Sequence, residues 1–163
     1  MQHVLDLDLA DVETMFRANV FHQLHITTRV LKGMLARKTG AVINMVSGAG
    51  LADPPMPAGQ GGWGFAYAAT KGAFQRMVGV LAVEHRDSGV SFFNLEPGFV
   101  MTEAMKLNDP EGVLEKFQKP APPSVPASVI AWLATDAGAS DWNGRTVFAQ
   151  KWALEQALHP DWR

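Results

Sequence analysis

Ala41-Val42-Ile43-Asn44-Met45-Val46-Ser47 decides the fold. The run is short, apolar and rich in β-branched residues, and it follows Gly40. It reads as a strand buried on both faces, of the kind found in parallel sheets. Upstream, Val12, Met15, Phe16, Val20, Leu24, Val30, Leu31, Met34 and Leu35 recur at close to helical spacing. Asp8 or Asp11 can cap that helix, Arg37 and Lys38 complement its dipole, and Gly40 suits its stop. A helix leading into a buried strand is the grammar of a layered α/β fold.

The same alternation continues downstream. Residues 48–65 read as a loop, with a Pro/Gly-rich insert at 53–64, and residues 66–86 as a second helix that stops near Ser88-Gly89. Val90-Ser91-Phe92-Phe93-Asn94-Leu95-Glu96 is a second buried strand, ended by Pro97-Gly98. After a loop carrying Thr102, Asn108 or Asp109 can open a short helix to Lys119, with Pro110 near its first position. Pro120-Ala121-Pro122-Pro123 is a rigid linker. Ser124 to Asp136 is a helix with Val129, Ile130, Trp132 and Leu133 on its apolar side. Arg145 to Ala149 is a third strand, and Lys151 to Leu158 a terminal helical turn or two. Trp142, Trp152 and Trp162 anchor the C-terminal tail, residues 151–163. Strands joined by helices pair in parallel, through right-handed crossovers. Ligands of such sheets bind beyond the carboxyl ends of the strands. Ser47, Pro97-Gly98 and the start of the helix at 66–86 therefore meet at one edge.

Composition bounds the rest. A chain of 163 residues, 47% hydrophobic and 18% charged, can build the core of one domain, 1–163. A net charge of -2 gives no basic footprint for nucleic acid. With no cysteine there is no disulfide framework or thiolate metal site, which fits a cytoplasmic location. No apolar run approaches the ~18 residues of a membrane span, and Met1 to Asp6 has no signal-peptide pattern. His22 and His25 stand three apart on a helix with no third ligand in place, and read as surface histidines.

Tyr67-Ala68-Ala69-Thr70-Lys71 opens the helix at 66–86 and holds the only tyrosine. Residues i and i+4 share a helical face, so the Lys71 ammonium can stand near the phenol. A neighbouring cation favours a phenolate, which makes a phenol a usable proton donor and acceptor. Taken alone, the pair also reads as an amphipathic tyrosine beside a solvated lysine, Asn19 as a mid-helix backbone partner, and Ser47 as a turn residue. Gly59-Gln60-Gly61-Gly62-Trp63-Gly64 has the letters of a dinucleotide fingerprint, but no strand directly precedes it. That motif needs its glycines between a strand and a helix, so this stretch reads as a loop over the site, with Trp63 or Phe65 near a ligand.

Six features in order, across about residues 8–150, resemble the C-terminal part of a short-chain dehydrogenase/reductase. They are Asn19 within Phe16-Arg17-Ala18-Asn19-Val20, Asn44-Met45-Val46-Ser47, Tyr67-Ala68-Ala69-Thr70-Lys71, Asn94-Leu95-Glu96-Pro97-Gly98 with Val100 and Thr102, Trp132-Leu133-Ala134-Thr135-Asp136, and Asn143-Gly144-Arg145-Thr146. The resemblance implies a partial three-layer, Rossmann-like parallel sheet of about three strands. It implies an oxidoreductase that uses NAD or NADP on a carbonyl or secondary alcohol. Tyr67 would be the general acid/base, and Lys71 its partner and a ribose ligand. Ser47 would hold the reacting oxygen, and Asn19 would bind a relay water. Pro97, Gly98, Val100 and Thr102, with Tyr67 and Lys71, would line the cofactor.

The family's opening strand, Gly-rich phosphate turn and helix have no counterpart in these residues, which implies a truncated form. An alternative is a non-catalytic homologue that serves as an interaction module, a homo-oligomer formed through helices 9–38 and 66–86. A third is a chain that does not fold stably alone, because the strand at 41–47 lacks its inner neighbour and exposes an apolar edge.

Overall fold

The computed structural model describes residues 2–108 and 119–162. Asp8 caps the first helix as expected, its carboxylate accepting from the Ala10 amide at 2.8 Å. Helix α1 (Leu9–Phe16) runs through one π-helical stretch, Arg17–Phe21, into α2 (His22–Arg37). The stop differs from expectation. Lys38 takes the left-handed conformation at φ 54°, and its amide bonds back to the last turn. Gly40, at φ 147°, instead lets the chain pass the Met34 side chain, which a Cβ would meet at 2.8 Å.

The strands are β1 (Gly40–Met45), β2 (Val90–Glu96) and β3 (Thr146–Phe148), all parallel, in the order β1-β2-β3. Gly40 pairs with Val90 and Met45 with Leu95. Asn94 pairs with Thr146 and Glu96 with Phe148. The entry to β3 is fixed by Asn143, whose side-chain oxygen accepts the Phe92 amide at 2.8 Å, while the Gly144 amide donates to the Phe92 carbonyl.

The helices lie on two faces. Helices α2 and α3 (Phe65–Glu84) cover one, where Leu31, Val78 and Leu81 pack with Val90 and Phe92. Helices α5 (Ser124–Thr135) and α6 (Ala149–Glu155) cover the other, where Val125, Val129 and Leu133 pack with Phe93, Leu95 and Val147. Alternation along β2 sends successive side chains to opposite cores, so a central strand needs apolar residues on both faces, as Val90, Phe92, Phe93 and Leu95 supply. This is the expected three-layer α/β arrangement of three parallel strands. Trp132, Trp142 and Trp152 cluster at the end of the second core, with ring centroids 5.2 Å and 4.4 Å apart for the two pairs that share Trp152.

Two expectations are corrected. Strand β1 is not buried on both faces. Gly40 to Ile43 are half-buried, Asn44 is buried and Met45 is exposed, because its outer edge has no partner strand among the described residues. The open apolar edge foreseen for this strand is therefore present. The stretch after Thr102, read as loop, instead carries a short helix, α4 (Glu103–Asn108), ahead of the one expected from Asn108 or Asp109. Thr102 supplies its cap, its hydroxyl accepting the Met105 amide at 3.3 Å. The helix expected from Asn108 or Asp109 to Lys119 falls on residues 109–118, outside the described residues.

Phe92 and Phe93 are both fully buried, on opposite faces. Phe92→Ala and Phe93→Ala are each expected to lower stability by about 3–5 kcal/mol. Val83→Ala, at a position 68% exposed on α3, is expected to change it by less than about 0.5 kcal/mol. Urea unfolding followed by far-UV circular dichroism reads all three.

Candidate active site

The carboxyl ends of β1 and β2 open on the same edge of the sheet, because the strands are parallel. Past β1, the Val46 amide still reaches the Leu95 carbonyl, and Ser47 then caps a single 3-10 turn, Gly48–Gly50. The Ser47 hydroxyl oxygen accepts the Ala49 amide at 3.2 Å. Its own O–H is left free to donate.

Gly50 seats this turn on α3. A Cβ there would lie 2.7 Å from the Gly72 nitrogen and 2.8 Å from the Lys71 carbonyl carbon, both backbone atoms. Only glycine allows that approach. The segment carrying Ser47 is thus pressed against the helical turn that carries Lys71.

Tyr67 and Lys71 lie in the first two turns of α3. The Lys71 ammonium is 5.8 Å from the Tyr67 ring centroid. It donates to the Met45 carbonyl at 3.3 Å, at the end of β1. Lys71 is half-buried, and desolvation pushes its pKa below the ordinary 10.5.

Asn19 stands in the π-helical stretch. Its side-chain amide donates to the Thr70 hydroxyl at 3.2 Å, and that hydroxyl donates to the Tyr67 carbonyl at 2.9 Å. Thr70 is fully buried. Asn19 therefore grips the helical turn of the tyrosine, instead of serving a backbone group of its own helix. Asn19, Asn44 and Lys71 line one cavity of about 420 Å³ along the β1 edge. Ser47 and Tyr67 are not among its lining residues.

Past β2, the Gly98 amide donates to the Glu96 carboxylate at 3.0 Å. Gly98 has φ +71°, a left-handed conformation that suits glycine. Val100 forms a parallel bridge with Ala121, and Thr102 caps α4. These residues form a wall separate from the Tyr67–Lys71 turn. The two walls approach where Gly48 faces the Glu96 carboxylate, 3.9 Å from an added Cβ.

The glycine-rich 59–64 stretch forms no strand–turn–helix cradle. Gly62 pairs with Ala58 in an isolated bridge, and Gly64 is the N-cap of α3. Sequence reading missed Thr70, Gly50, Glu96 and the Met45 carbonyl. Thr70 lay inside a stretch already singled out. So did Glu96, which holds the Gly98 amide two residues on, while Gly50 and the Met45 carbonyl act through contacts far apart in the chain.

A family model described as "short chain dehydrogenase" matches residues 1–111. A fluoren-9-ol dehydrogenase from a Terrabacter species is 31% identical over 163 aligned positions, covering 93% of this chain and 44% of that protein. Oxidoreductase UcpA of Escherichia coli is 33% identical over 147 positions, covering 80% of this chain and 53% of UcpA. The chain spans about half the length of these curated relatives. A gluconate 5-dehydrogenase from Burkholderia cenocepacia, solved in complex with NADP and tartrate, shares the fold with a TM-score of 0.76 at 22% identity. That match covers 90% of this chain and 57% of the other.

The folded chain holds the Lys71 proton less tightly than the unfolded chain does. The resulting penalty is complete at neutral pH and fades as pH rises towards 10.5. Lys71→Met removes the titrating amine. Wild-type stability is therefore expected to gain on the variant between neutral pH and 10.5. Urea midpoints measured across that window test this, and a pH-independent difference would mark the amine as fully solvated.

Proposed function

This chain belongs to the short-chain dehydrogenase family, and we propose that its site performs the acid/base work of a nicotinamide-dependent carbonyl reduction or secondary alcohol oxidation. The observation that carries the reading is the position of Lys71. It is a half-buried amine beside the Tyr67 ring, bonded to the last carbonyl of β1, at the ligand-binding edge of a parallel sheet.

Tyr67 gives its phenolic proton to the substrate oxygen during reduction and takes it back during oxidation. Ser47 donates its free O–H to the same oxygen and holds it in place. Lys71 supplies positive charge next to the phenol. Asn19 and Lys71 share a cavity of about 420 Å³. At about 30 Å³ per water, this holds the water through which a proton passes between Lys71 and solvent.

The residues fit the nicotinamide end of an NAD or NADP cofactor. An ammonium has three N–H donors, and the described residues occupy one of them on Lys71. Two remain for the vicinal hydroxyls of a ribose. Pro97, Gly98, Val100 and Thr102, past the end of β2, would receive the nicotinamide end on its other side. Such a cofactor supplies or accepts the hydride. The Gly-rich phosphate turn of the family has no counterpart in these residues, so we read them as the acid/base half of the site.

Tyr67→Phe is expected to cut the turnover of a carbonyl panel, followed through NADPH or NADH absorbance, by roughly 10²–10⁴-fold. Fluorescence titration of the wild type with both nucleotides comes first. No binding below millimolar sinks activity of the chain on its own.

A second reading, association through α2 and α3, is supported by their exposed apolar residues. Leu24, Ile26 and Val30 on α2 and Val80 and Val83 on α3 are each at least 44% exposed. Exposed apolar side chains on two neighbouring helices leave surface that a partner can cover. Size-exclusion chromatography with light scattering is expected to return a dimer or larger. A monomer at all concentrations removes this reading.

A further inference from the structure

Gln150 is the second residue of α6, directly after the buried Ala149. Its side-chain amide nitrogen donates to the Phe99 carbonyl at 2.9 Å and to the Pro97 carbonyl at 3.2 Å. One NH₂ group has two hydrogens, and each is used. The residue between those carbonyls is Gly98. A Cβ there would fall 2.3 Å from the Gln150 nitrogen. The amide therefore fills the space that any side chain at 98 would need.

The turn is gripped from its other sides as well. Glu96 accepts the Gly98 amide, and the Phe99 carbonyl also accepts the Ala121 amide at 2.9 Å. Gln150 is in turn held by the C-terminal tail. Its backbone carbonyl accepts the Trp162 indole N–H at 3.0 Å. The tail is fixed upstream of Trp162 at two points. The Leu158 amide bonds to the Ala153 carbonyl, and the His159 ring pairs with the Ser124 hydroxyl at 2.9 Å. The His159 Nδ1 accepts the Asp161 amide, so the Nε2 carries the proton and donates to Ser124.

We propose that Gln150 is a positioning residue, which sets the Pro97–Phe99 turn and with it the 97–102 wall, and that Trp162 of the tail holds Gln150 in place. The inference rests on the oxidoreductase reading, in which that wall receives the nicotinamide. Nothing in the local sequence marks Gln150, because its partners lie 51 and 53 residues away.

Gln150→Glu tests it with little change of volume. At neutral pH the variant sets carboxylate oxygens against two carbonyl oxygens, and the donors are lost. Lowering the pH protonates that carboxyl and restores one donor. Deuterium exchange of amides 98–102 is expected to rise about 10-fold at neutral pH, as for loss of one net hydrogen bond. Protection relative to wild type should recover as pH falls through the carboxylate range. Trp162→Phe keeps the ring, loses the N–H, and should raise the same exchange by a smaller factor. Affinity for NADPH, read by fluorescence, should fall about 10-fold in Gln150→Glu. The KM for the nucleotide should rise with it, and kcat should move far less.

Unchanged exchange at 98–102, or an equal rise across all amides, overturns the proposal. So does unchanged NADPH affinity in the variant when exchange has risen. If the wild type binds no nucleotide, the affinity arm is lost with autonomous activity, and the exchange arm alone decides the positioning role. The exchange contrast then still reports whether Gln150 holds the turn.

Discussion

Burial of β2 on both faces is the constraint from which the rest of the structure follows. Phe92 enters the core under α2 and α3, and Phe93 and Leu95 enter the core under α5 and α6, all with no exposure. A strand so placed needs helices on each side and a paired neighbour at each edge. The parallel neighbours β1 and β3 meet the second need, and parallel pairing forces each connection to cross the sheet. All three strands then end on one edge. Ser47, Pro97-Gly98 and Gln150 emerge there for topological reasons, before any chemistry is considered.

One buried polar residue sets the height of α3 on that frame. Asn94 is 4% exposed in the middle of β2, and its side-chain amide donates to the Gln75 carbonyl of α3 at 3.0 Å. An unpaired amide in that position would cost roughly 1–3 kcal/mol, so the bond resists sliding of the helix along the strand. Gln75 is one turn beyond Lys71. Fixing it fixes Lys71 against the end of β1, where the ammonium finds the Met45 carbonyl.

The parts legible in the sequence are those encoded by local pattern. The apolar run 90–96 coincides with β2, and the helices at 66–86 and 124–136 are placed to within about two residues. Tyr67, Lys71, Ser47 and Gly98 were visible because element ends are marked by turn residues and by helical spacing. What escaped depends on the company a segment keeps. An apolar run such as 41–47 does not itself say whether a second strand lies beside it; its open edge was legible only from the family resemblance, whose preceding strands have no counterpart in these residues. The stop at Lys38 uses a left-handed lysine where a glycine stood two residues on, and α4 rests on a threonine cap inside a stretch that reads as loop. Thr70, Gly50 and Gln150 act through tertiary contacts, and Asn19–Thr70 and Gln150–Phe99 are each 51 residues apart.

The two walls of the site are held by different kinds of force. Tyr67 and Lys71 sit on a 20-residue helix that is pinned by backbone contact at Gly50, by the buried Thr70 and by the Asn94 bond. Moving them means disturbing a packed core. Residues 97–102 form no regular element, and the contacts that hold their turn are Glu96, Gln150 and the Ala121 amide. Loss of one such bond costs about 1 kcal/mol, small against the packing under α3. Local opening follows the least stabilised segment, so the 97–102 wall yields before the Tyr67–Lys71 turn does. A rigid Tyr67–Lys71 turn beside an adjustable 97–102 segment is the combination that lets one side of a site keep its geometry while the other yields.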